Sequence, residues 1–275
     1  MQFSFLKMHG AGNRILVVDE RVDNRPPPTP EQLRRLGNDA TGPGFDQLMW
    51  VAAASSDSAH ASYRVFNADG SEVEQCGNGV RCVAWLLARS SDDREFRLES
   101  PAGPVDAQMI ADDRVAVCMG VPQFEPDLVP FVAENDAIVY ELNVNGGLLE
   151  VSALSMGNPH CVIDVDDVTT ADVATLGPAI EHHERFPSGC NVGFMSVQNR
   201  QSIDLRVHER GIGETPACGT GACAAVVAAR RQGRVDDTVT VNLPGGQLVV
   251  SWRRPADPVW LTGNAELISE GTIDL

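Results

Sequence analysis

Lysine is almost absent from this sequence: of its 275 residues, only Lys7 is a lysine. Enzymes that use pyridoxal phosphate hold it through a lysine Schiff base, so Lys7 would have to carry that role. It lies in the run Phe5–Met8, which alternates like a strand and has no phosphate-binding loop beside it. The sequence therefore argues against pyridoxal phosphate, and we expect no cofactor.

Several other features are missing. The formal net charge is −17 and there is no run of lysine and arginine, which argues against nucleic acid as a partner. No apolar run approaches the length of a membrane span, and the N-terminus lacks a secretory pattern. The seven cysteines include no Cys-x-x-Cys pair and the six histidines are scattered, so no metal site is predicted. We therefore expect a globular protein of the cytoplasm with reduced thiols and no membrane association.

The most informative stretch that is present is 214–221, Glu-Thr-Pro-Ala-Cys-Gly-Thr-Gly. Small apolar residues follow it at positions 222, 225, 226 and 229, a spacing that predicts one face of a helix. Cys218 would then lie at the helix N-terminus, where unpaired N–H groups and the helix dipole favour negative charge. That place suits a reactive thiol or a bound carboxylate, although a single copy would equally suit a buried structural cysteine.

The same pattern occurs a second time, at 72–79 (Glu-Val-Glu-Gln-Cys-Gly-Asn-Gly), where Cys76 precedes Cys218 by 142 residues. An internal repeat of this length indicates two homologous halves. Further matched positions follow in the same order, at offsets of 142 to 145 residues: Asn13 with Asn158, Gln47 with Asn191, Asn67 with Glu209, Pro101 with Pro244, and Met119 with Thr262.

This repeat predicts an α+β fold of two pseudo-symmetric repeat domains, each a mixed or antiparallel, barrel-like sheet around a central helix. We assign 1–120 to the N-terminal repeat, completed by the tail 264–275, and 121–263 to the C-terminal repeat. The capping-box pattern at Thr29–Gln32 predicts a short helix to about Leu36. Strands are predicted near 1–8, 14–20, 48–54, 62–67, 95–100, 105–110, 114–119, 138–144 and 148–154. The active site is expected in the cleft between the domains, where the two cysteine-bearing helix ends would face each other.

Two opposed thiols at helix N-termini suit inversion of a carbon that carries a carboxylate. One sulfur, as thiolate, removes the α-proton, and the other, as thiol, returns a proton from the opposite side. The helix N–H groups would stabilise the charge that spreads into the carboxylate as the proton leaves. Because the pair must be in mixed protonation, the titrations of Cys76 and Cys218 would be coupled.

One matched position breaks the symmetry between the halves. Glu209 and Arg210 stand where the first half has Asn67 and Ala68. The guanidinium suits a second carboxylate and the glutamate suits an ammonium, so the pair fits a substrate with an amino-acid head at each end. An exposed ion pair without a binding role is the alternative interpretation.

Six motifs follow one another along the chain: 7–13 (Lys-Met-His-Gly-Ala-Gly-Asn), 44–47 (Gly-Phe-Asp-Gln), 66–72 (Phe-Asn-Ala-Asp-Gly-Ser-Glu), 75–79 (Gln-Cys-Gly-Asn-Gly), 155–160 (Ser-Met-Gly-Asn-Pro-His) and 209–221 (Glu-Arg-Gly-Ile-Gly-Glu-Thr-Pro-Ala-Cys-Gly-Thr-Gly). With these motifs the chain resembles the diaminopimelate epimerase family, and the resemblance runs from the first residues to Thr262-Gly263, nearly the whole chain. The resemblance implies a cofactor-independent, two-thiol epimerase that converts LL-diaminopimelate to the meso isomer in lysine and peptidoglycan precursor synthesis, and a homodimer.

The resemblance also implies a role for individual residues. Cys76 and Cys218 become the acid/base thiols, and His160 and Glu209 support them. The first residues of the two helices would hold the reacting carboxylate: Gly77, Asn78, Gly219 and Thr220. Polar loop residues would hold the distal head, with Gln47 lining the site: Asn13, Asn67, Asn158, Asn191, Glu209 and Arg210.

Two departures and two alternatives accompany this resemblance. Arg14-Ile15 stands where the family usually has Asp-Phe, and Ser269 stands where members often carry an aromatic residue that bears on the homodimer. A proline or hydroxyproline racemase shares the paired thiols, but its one-headed substrate gives Glu209 and Arg210 nothing to bind. A catalytically silent amino-acid-binding protein would need neither sulfur.

Overall fold

The computed structural model describes residues 2–73 and 76–274, so Glu74 and Gln75 of the first cysteine motif lie outside the described residues. This part of the chain contains four α-helices and 18 strands, which confirms the α+β class. The chain divides into two compact units. Unit 1 consists of Met1–Cys118 and Thr262–Leu275, and unit 2 consists of Met119–Leu261.

Unit 1 holds two helices and one mixed sheet. With elements numbered along the whole chain, its helices are α1 (Pro30–Gly37) and α2 (Gly77–Ala88), and its strands are β1 (Gln2–Gly10), β2 (Asn13–Asp19), β3 (Gln47–Ala52), β4 (Ala61–Asn67), β5 (Glu72–Val73), β6 (Glu95–Ser100), β7 (Gly103–Ala111), β8 (Arg114–Cys118) and β18 (Glu266–Asp274). The strands pair in the order β18-β1-β2-β3-β4-β6-β7-β8, with β5 on β4. The β2–β3 and β4–β6 pairs are parallel, and the others are antiparallel.

Unit 2 repeats this arrangement. It contains a 3₁₀ turn (Pro126–Leu128), helices α3 (Val173–Glu181) and α4 (Gly219–Arg231), and strands β9 (Tyr140–Val144), β10 (Gly147–Ser155), β11 (Pro159–Asp164), β12 (Asn191–Asn199), β13 (Ser202–Glu209), β14 (Gly213–Thr215), β15 (Thr238–Leu243) and β16 (Gly246–Ser251). Strand β17 (Trp260–Asn264) runs across the boundary of the two units. The pairing order is β9-β10-β11-β12-β13-β15-β16, with β14 on β13 and with β11–β12 and β13–β15 parallel. The repeat in the sequence is therefore also a repeat in strand order and strand direction.

In each unit, one helix packs against the sheet and contacts strands from both halves of that sheet. Helix α2 contacts β1, β2, β3, β7 and β8, and α4 contacts β10 to β13, β15 and β16. The predicted apolar face of α2, Val80, Val83, Ala84 and Leu87, is buried. On the other side of the unit 1 sheet, Leu33 and Leu36 of α1 pack with Phe3, Leu16 and Trp50. Because both faces of the sheet are covered, the middle of β2, residues 15–18, is buried without alternation.

Glycine at the third position of each central helix allows a close approach to a strand. A Cβ at Gly79 would clash with the Sδ of Met49 on β3, and a Cβ at Gly221 would lie 3.0 Å from Cγ2 of Val207 on β13. The two glycines are equivalent in the repeat, but the strands they contact are not, because β13 corresponds to β4 and β3 corresponds to β12. The two contacts hold the first turn of α2 against β3 and that of α4 against β13, which places each cysteine beside the polar ends of those strands.

The predicted capping box is confirmed, and one helix was not predicted. Gln32 N–H donates to Thr29 Oγ1 at 3.3 Å, and Thr29 N–H donates to Gln32 Oε1 at 2.8 Å. Helix α3 has Pro178 inside it, and its N-cap Asp172 accepts from Thr175 N–H at 3.2 Å without a capping box. A pattern search based on capping boxes and uninterrupted helix formers does not detect such a segment.

No helix in residues 2–73 and 76–274 is long and apolar enough to cross a membrane.

Candidate active site

Cys76 is the N-cap residue of α2, as the sequence predicts. Its backbone is extended (φ −142°, ψ 105°), and its Sγ accepts a hydrogen bond from Gly79 N–H at 3.2 Å. The thiol is half-buried. An amide N–H aimed at the sulfur from the first helical turn favours the thiolate over the thiol. Cys76 therefore has the surroundings of a group that can hold a negative charge.

Three predicted binding residues of unit 1 form one hydrogen-bonded row. Asn13 Nδ2 donates to Gln47 Oε1 at 3.5 Å, and Gln47 Nε2 donates to Asn67 Oδ1 at 3.1 Å. Asn67 Nδ2 then donates to Ser71 Oγ at 3.1 Å. The sheet dictates this meeting, because Gln47 and Asn67 are direct partners across β3 and β4 while Asn13 begins the adjacent β2. Ser71 is a member that the sequence reasoning missed.

The side chain of Asn78 is committed to its own helix. Its Oδ1 accepts from Arg81 Nη2 at 2.9 Å, while Arg81 Nε donates to the carbonyl of Asn264 at 3.2 Å. Both residues are buried. Any contact of Asn78 with a substrate carboxylate would therefore use its backbone N–H, since the N–H groups of a first helical turn have no acceptor within the helix. Arg81 is a second residue that the sequence reasoning missed.

Cys218 is the N-cap of α4, with φ −126° and ψ 114°, and its surroundings differ from those of Cys76. Its Sγ lies 3.5 Å from Thr220 Oγ1, and only 4% of the residue is exposed. Burial, and after it the negative charge of Glu209, raise the pKa of the Cys218 thiol well above its usual value. The two cysteines are matched in the repeat, yet Cys76 is half-buried, whereas burial and a neighbouring carboxylate raise the pKa of Cys218.

Within unit 2, a chain of polar side chains connects Cys218 to His160. Asn158 Nδ2 donates to Thr220 Oγ1 at 3.5 Å, and Asn158 Oδ1 lies 3.0 Å from His160 Nε2. Burial, with a smaller contribution from the positive charge of Arg210, lowers the pKa of His160 to about 3. The imidazole is therefore neutral near pH 7, and it carries its proton on Nε2 because Asn158 Oδ1 can only accept. His160 orients Asn158 and thereby the hydroxyl beside the Cys218 sulfur.

Glu209 and Arg210 lie at the end of β13 and in the turn after it. Glu209 accepts a hydrogen bond from the Thr215 hydroxyl, and Arg210 Nη1 donates to the Ser188 carbonyl at 3.0 Å. Asn191 Oδ1 accepts from Arg210 N–H at 3.0 Å, and its Nδ2 donates to the Pro159 carbonyl at 3.3 Å. The structure thus gives the buried Asn191 amide internal partners at both ends. Its contacts are those of a residue that holds Arg210 in place.

Two bidentate ion pairs occupy equivalent positions in the two repeats. Arg64 Nε and Nη2 bind Glu72 at 2.7 and 2.6 Å, and Arg206 Nε and Nη2 bind Glu214 at 2.6 and 2.9 Å. Both members of the second pair follow those of the first by 142 residues. The same offset that identified the cysteines would have identified these pairs, which brace the hairpin in front of each cysteine.

Two basic residues near the first polar row have structural partners. Lys7 Nζ donates to the Pro43 carbonyl at 2.6 Å. Arg14 binds Asp39 at 2.9 Å and Asp46 at 3.1 Å, both in the segment between α1 and β3. The departure at Arg14 therefore braces that segment.

We expect Glu209→Gln to make Cys218 titrate at lower pH than in the parent protein. Removing the neighbouring negative charge lowers the free energy of forming the thiolate, so the pKa of Cys218 should fall and its alkylation at pH 7 to 8 should become faster. Iodoacetamide labelling across a pH series, followed by mass spectrometry of the Cys218 peptide, measures this. Glu214→Gln is the matched control, because that carboxylate in the same hairpin is paired with Arg206. An alkylation profile that is the same in Glu209→Gln and in the parent would contradict the assignment.

Comparison with known proteins identifies the family of this chain. The sequence profile described as diaminopimelate epimerase matches residues 5–125 and 152–268. The chain is 50% identical over 279 residues to the diaminopimelate epimerase of Laribacter hongkongensis and 48% identical over 277 residues to that of Pseudomonas entomophila, with all of both chains covered in each case. A crystal structure of a hydroxyproline epimerase from Agrobacterium vitis shares the fold, with a TM-score of 0.69 and 19% identity over 99% of this chain and 92% of the other. The chain belongs to the diaminopimelate epimerase family.

Proposed function

We propose that this protein interconverts LL-2,6-diaminopimelate and meso-diaminopimelate by a two-base mechanism that uses thiols in place of pyridoxal phosphate. The observation that carries the proposal is the pair of N-cap cysteines in equivalent positions of a repeated fold, within a chain of this family. Cys76 has an amide N–H on its sulfur, and Cys218 has a raised pKa. One thiolate and one thiol are the protonation states that the reaction needs.

In the proposed reaction the two sulfurs act on one α-carbon from opposite faces. The thiolate takes the α-proton, and the electron pair of the broken C–H bond spreads into the carboxylate. The other thiol gives its proton to the opposite face, so the centre is inverted and the two sulfurs exchange protonation states. The N–H groups of Gly77, Asn78, Gly219 and Thr220 are proposed to bind that carboxylate, because the N–H groups of the first helical turn have no acceptor within their own helix.

The second amino-acid head of the substrate is proposed to bind the residues that distinguish unit 2 from unit 1. Glu209 would accept from the distal ammonium, and Arg210 would bind the distal carboxylate with the donors that Ser188 does not use. Asn13, Gln47, Asn67 and Asn158 would complete the polar surroundings, and Asn191 would act through Arg210. This arrangement selects a two-headed substrate, in line with the diaminopimelate named for the relatives.

The experiment is incubation with LL-diaminopimelate in deuterated water, with the isomers separated by chiral chromatography and analysed by mass spectrometry. A two-base enzyme places solvent deuterium in the meso product, while LL-substrate recovered early in the reaction keeps its protium. Product that retains the original α-hydrogen would refute the two-base mechanism. Proline and hydroxyproline are assayed in parallel. Turnover of either in place of diaminopimelate would assign a racemase, and turnover of none would favour a binding protein.

The setting of the activity also belongs to this proposal. The two pathways that use diaminopimelate, lysine and peptidoglycan precursor synthesis, place the reaction in the cytoplasm. We further propose a homodimer, which sedimentation equilibrium of the purified protein tests directly. A monomeric mass across the concentration range of the assay would contradict that assembly without affecting the chemistry.

A further inference from the structure

The turn that carries Arg210 is held by buried side chains. It joins β13 to β14 and includes Gly211, whose φ of +74° is a conformation that glycine adopts without strain. Arg210 N–H donates to Asn191 Oδ1 at 3.0 Å, and Gly211 N–H donates to Glu181 Oε1 at 2.8 Å. Two consecutive amides of the turn are thus bound by side-chain oxygens from elsewhere in unit 2.

Glu181 binds the chain on both sides of the Glu209-Arg210 pair. Its second oxygen, Oε2, lies 2.8 Å from His208 Nε2. His208 directly precedes Glu209 on β13, and successive strand residues point to opposite faces of the sheet. Anchoring the imidazole from one face therefore fixes the direction in which Glu209 leaves the strand on the other face. One carboxylate, at the end of α3, holds the residue before the pair and the residue after it.

Helix α3 is fitted to this contact. A Cβ at Gly177 would lie 2.6 Å from Cγ of His208, so the glycine leaves the space in which the imidazole packs against the helix. The segment after α3 continues the support, because Ser188 accepts from Arg210 and a Cβ at Gly189 would lie 3.0 Å from Arg210 Cδ. Both side chains of the contact are nearly inaccessible, with 5% of Glu181 and 7% of His208 exposed.

The negative charge of Glu181 strengthens the hydrogen bonds that its two oxygens accept from His208 and Gly211. Burial alone raises the pKa of this carboxyl, but the hydrogen bonds from His208 and Gly211 outweigh burial and leave the pKa below its usual value. The group is therefore ionised near pH 7 and accepts at both oxygens. A buried carboxylate with two hydrogen-bond donors stabilises one geometry of the turn more strongly than a neutral acceptor would.

We propose that Glu181 is a positioning residue for substrate recognition: it holds the turn from both sides so that Glu209 and Arg210 are presented together to the distal amino-acid head. The inference rests on the proposed function for the identity of the substrate. The contacts themselves do not depend on it, so its test includes a measurement that needs no turnover.

The test uses Glu181→Ala, with Glu20→Gln and Glu181→Gln beside it. Glu181→Ala should raise the KM for diaminopimelate by about tenfold, the effect of one lost hydrogen bond of this kind, with a smaller fall in kcat. Glu181→Gln should have a smaller effect on KM, because the amide oxygen can still accept from Gly211. Glu20→Gln makes the same chemical change as Glu181→Gln, but in unit 1, at a carboxylate that is 1% exposed and bound to Arg25 at 2.6 Å. It should leave KM unchanged.

The measurement without turnover is the alkylation of Cys218. If Glu181 holds Glu209 beside the thiol, Glu181→Ala should shift the alkylation profile in the same direction as Glu209→Gln, while Glu20→Gln should not. Should Glu181→Ala fail to fold, Gly177→Ala displaces the His208 ring with the carboxylate intact and should raise KM in the same way. A parental KM and a parental Cys218 profile in folded Glu181→Ala, or in Gly177→Ala in its place, would overturn the inference. Absence of turnover in the parent protein would refute the proposed function alone.

Discussion

Replacing either Cys76 or Cys218 by serine is expected to reduce epimerisation of LL-diaminopimelate by about a thousandfold, within the range of 10²- to 10⁴-fold for loss of a positioned acid or base. The reason is that each turnover needs one sulfur as a base and the other as an acid. A serine hydroxyl in the same place ionises far less readily than a thiol, so it cannot supply the base. Because the two sulfurs exchange roles with the direction of reaction, both variants should be impaired in both directions.

The measurement is the initial rate of meso product formation in each variant, with the folded fraction checked by circular dichroism. Cys118→Ser is the matched control, since Cys118 is half-buried like Cys76 but lies on β8 in unit 1. It should retain nearly the parental rate. The double variant should be scarcely slower than either single variant, since the pair acts as one unit. More than a tenth of the parental rate in either single variant would eliminate the two-thiol mechanism.

Arg210→Ala is expected to raise the KM for diaminopimelate by about a hundredfold or more. A guanidinium that binds a carboxylate makes charge-assisted hydrogen bonds of about 1.5–3 kcal/mol each, and each 1.4 kcal/mol is a factor of ten in affinity. Arg210→Lys should recover only part of the loss, because an ammonium cannot reproduce the planar pair of donors.

The measurement is a Michaelis–Menten series for each variant, with thermal unfolding to compare stability. Arg200→Ala is the control: that guanidinium is exposed and binds Asp236 at 2.8 Å on the surface of unit 2. It should change neither KM nor the rate. An unchanged KM in Arg210→Ala would remove Arg210 from the distal head and leave the thiol chemistry unaffected.

Much of the fold follows from the sequence because the same pattern occurs twice. The offset of 142 residues between Cys76 and Cys218 aligns the central helices, and both cysteines are N-caps in the structure. The strand boundaries agree closely with the predicted ones, for instance β6 at Glu95–Ser100. Local signals of this kind, such as the capping box at Thr29, depend on neighbouring residues and can be recognised without a structure.

The supporting contacts of the candidate site could not be predicted in the same way. Glu181 and His208 are 27 residues apart, on a helix interrupted by Pro178 and on a strand, and no local pattern links them. The buried Arg81 beside Asn78 is a similar case. Its equivalent in the other half is Cys223, so the repeat does not predict an arginine at this position. Such contacts depend on which faces meet after the chain has folded, and periodicity identifies a buried face without identifying its partner.

The division of the chain between the units has a consequence for the order of folding during synthesis. Unit 2 is continuous, so all of its strands from β9 to β16 are synthesised before β18, which belongs to the sheet of unit 1. Unit 1 begins first but is finished last, because β1 pairs with β18 along almost its whole length, from Gln2 with Asp274 to His9 with Glu266. Domains fold as their chain becomes available, so the C-terminal half of this protein completes its sheet before the N-terminal half does. Until β18 emerges, the backbone groups of β1 that face it are an open sheet edge, and a nascent chain that stalls or is truncated before β18 exposes that edge to aggregation.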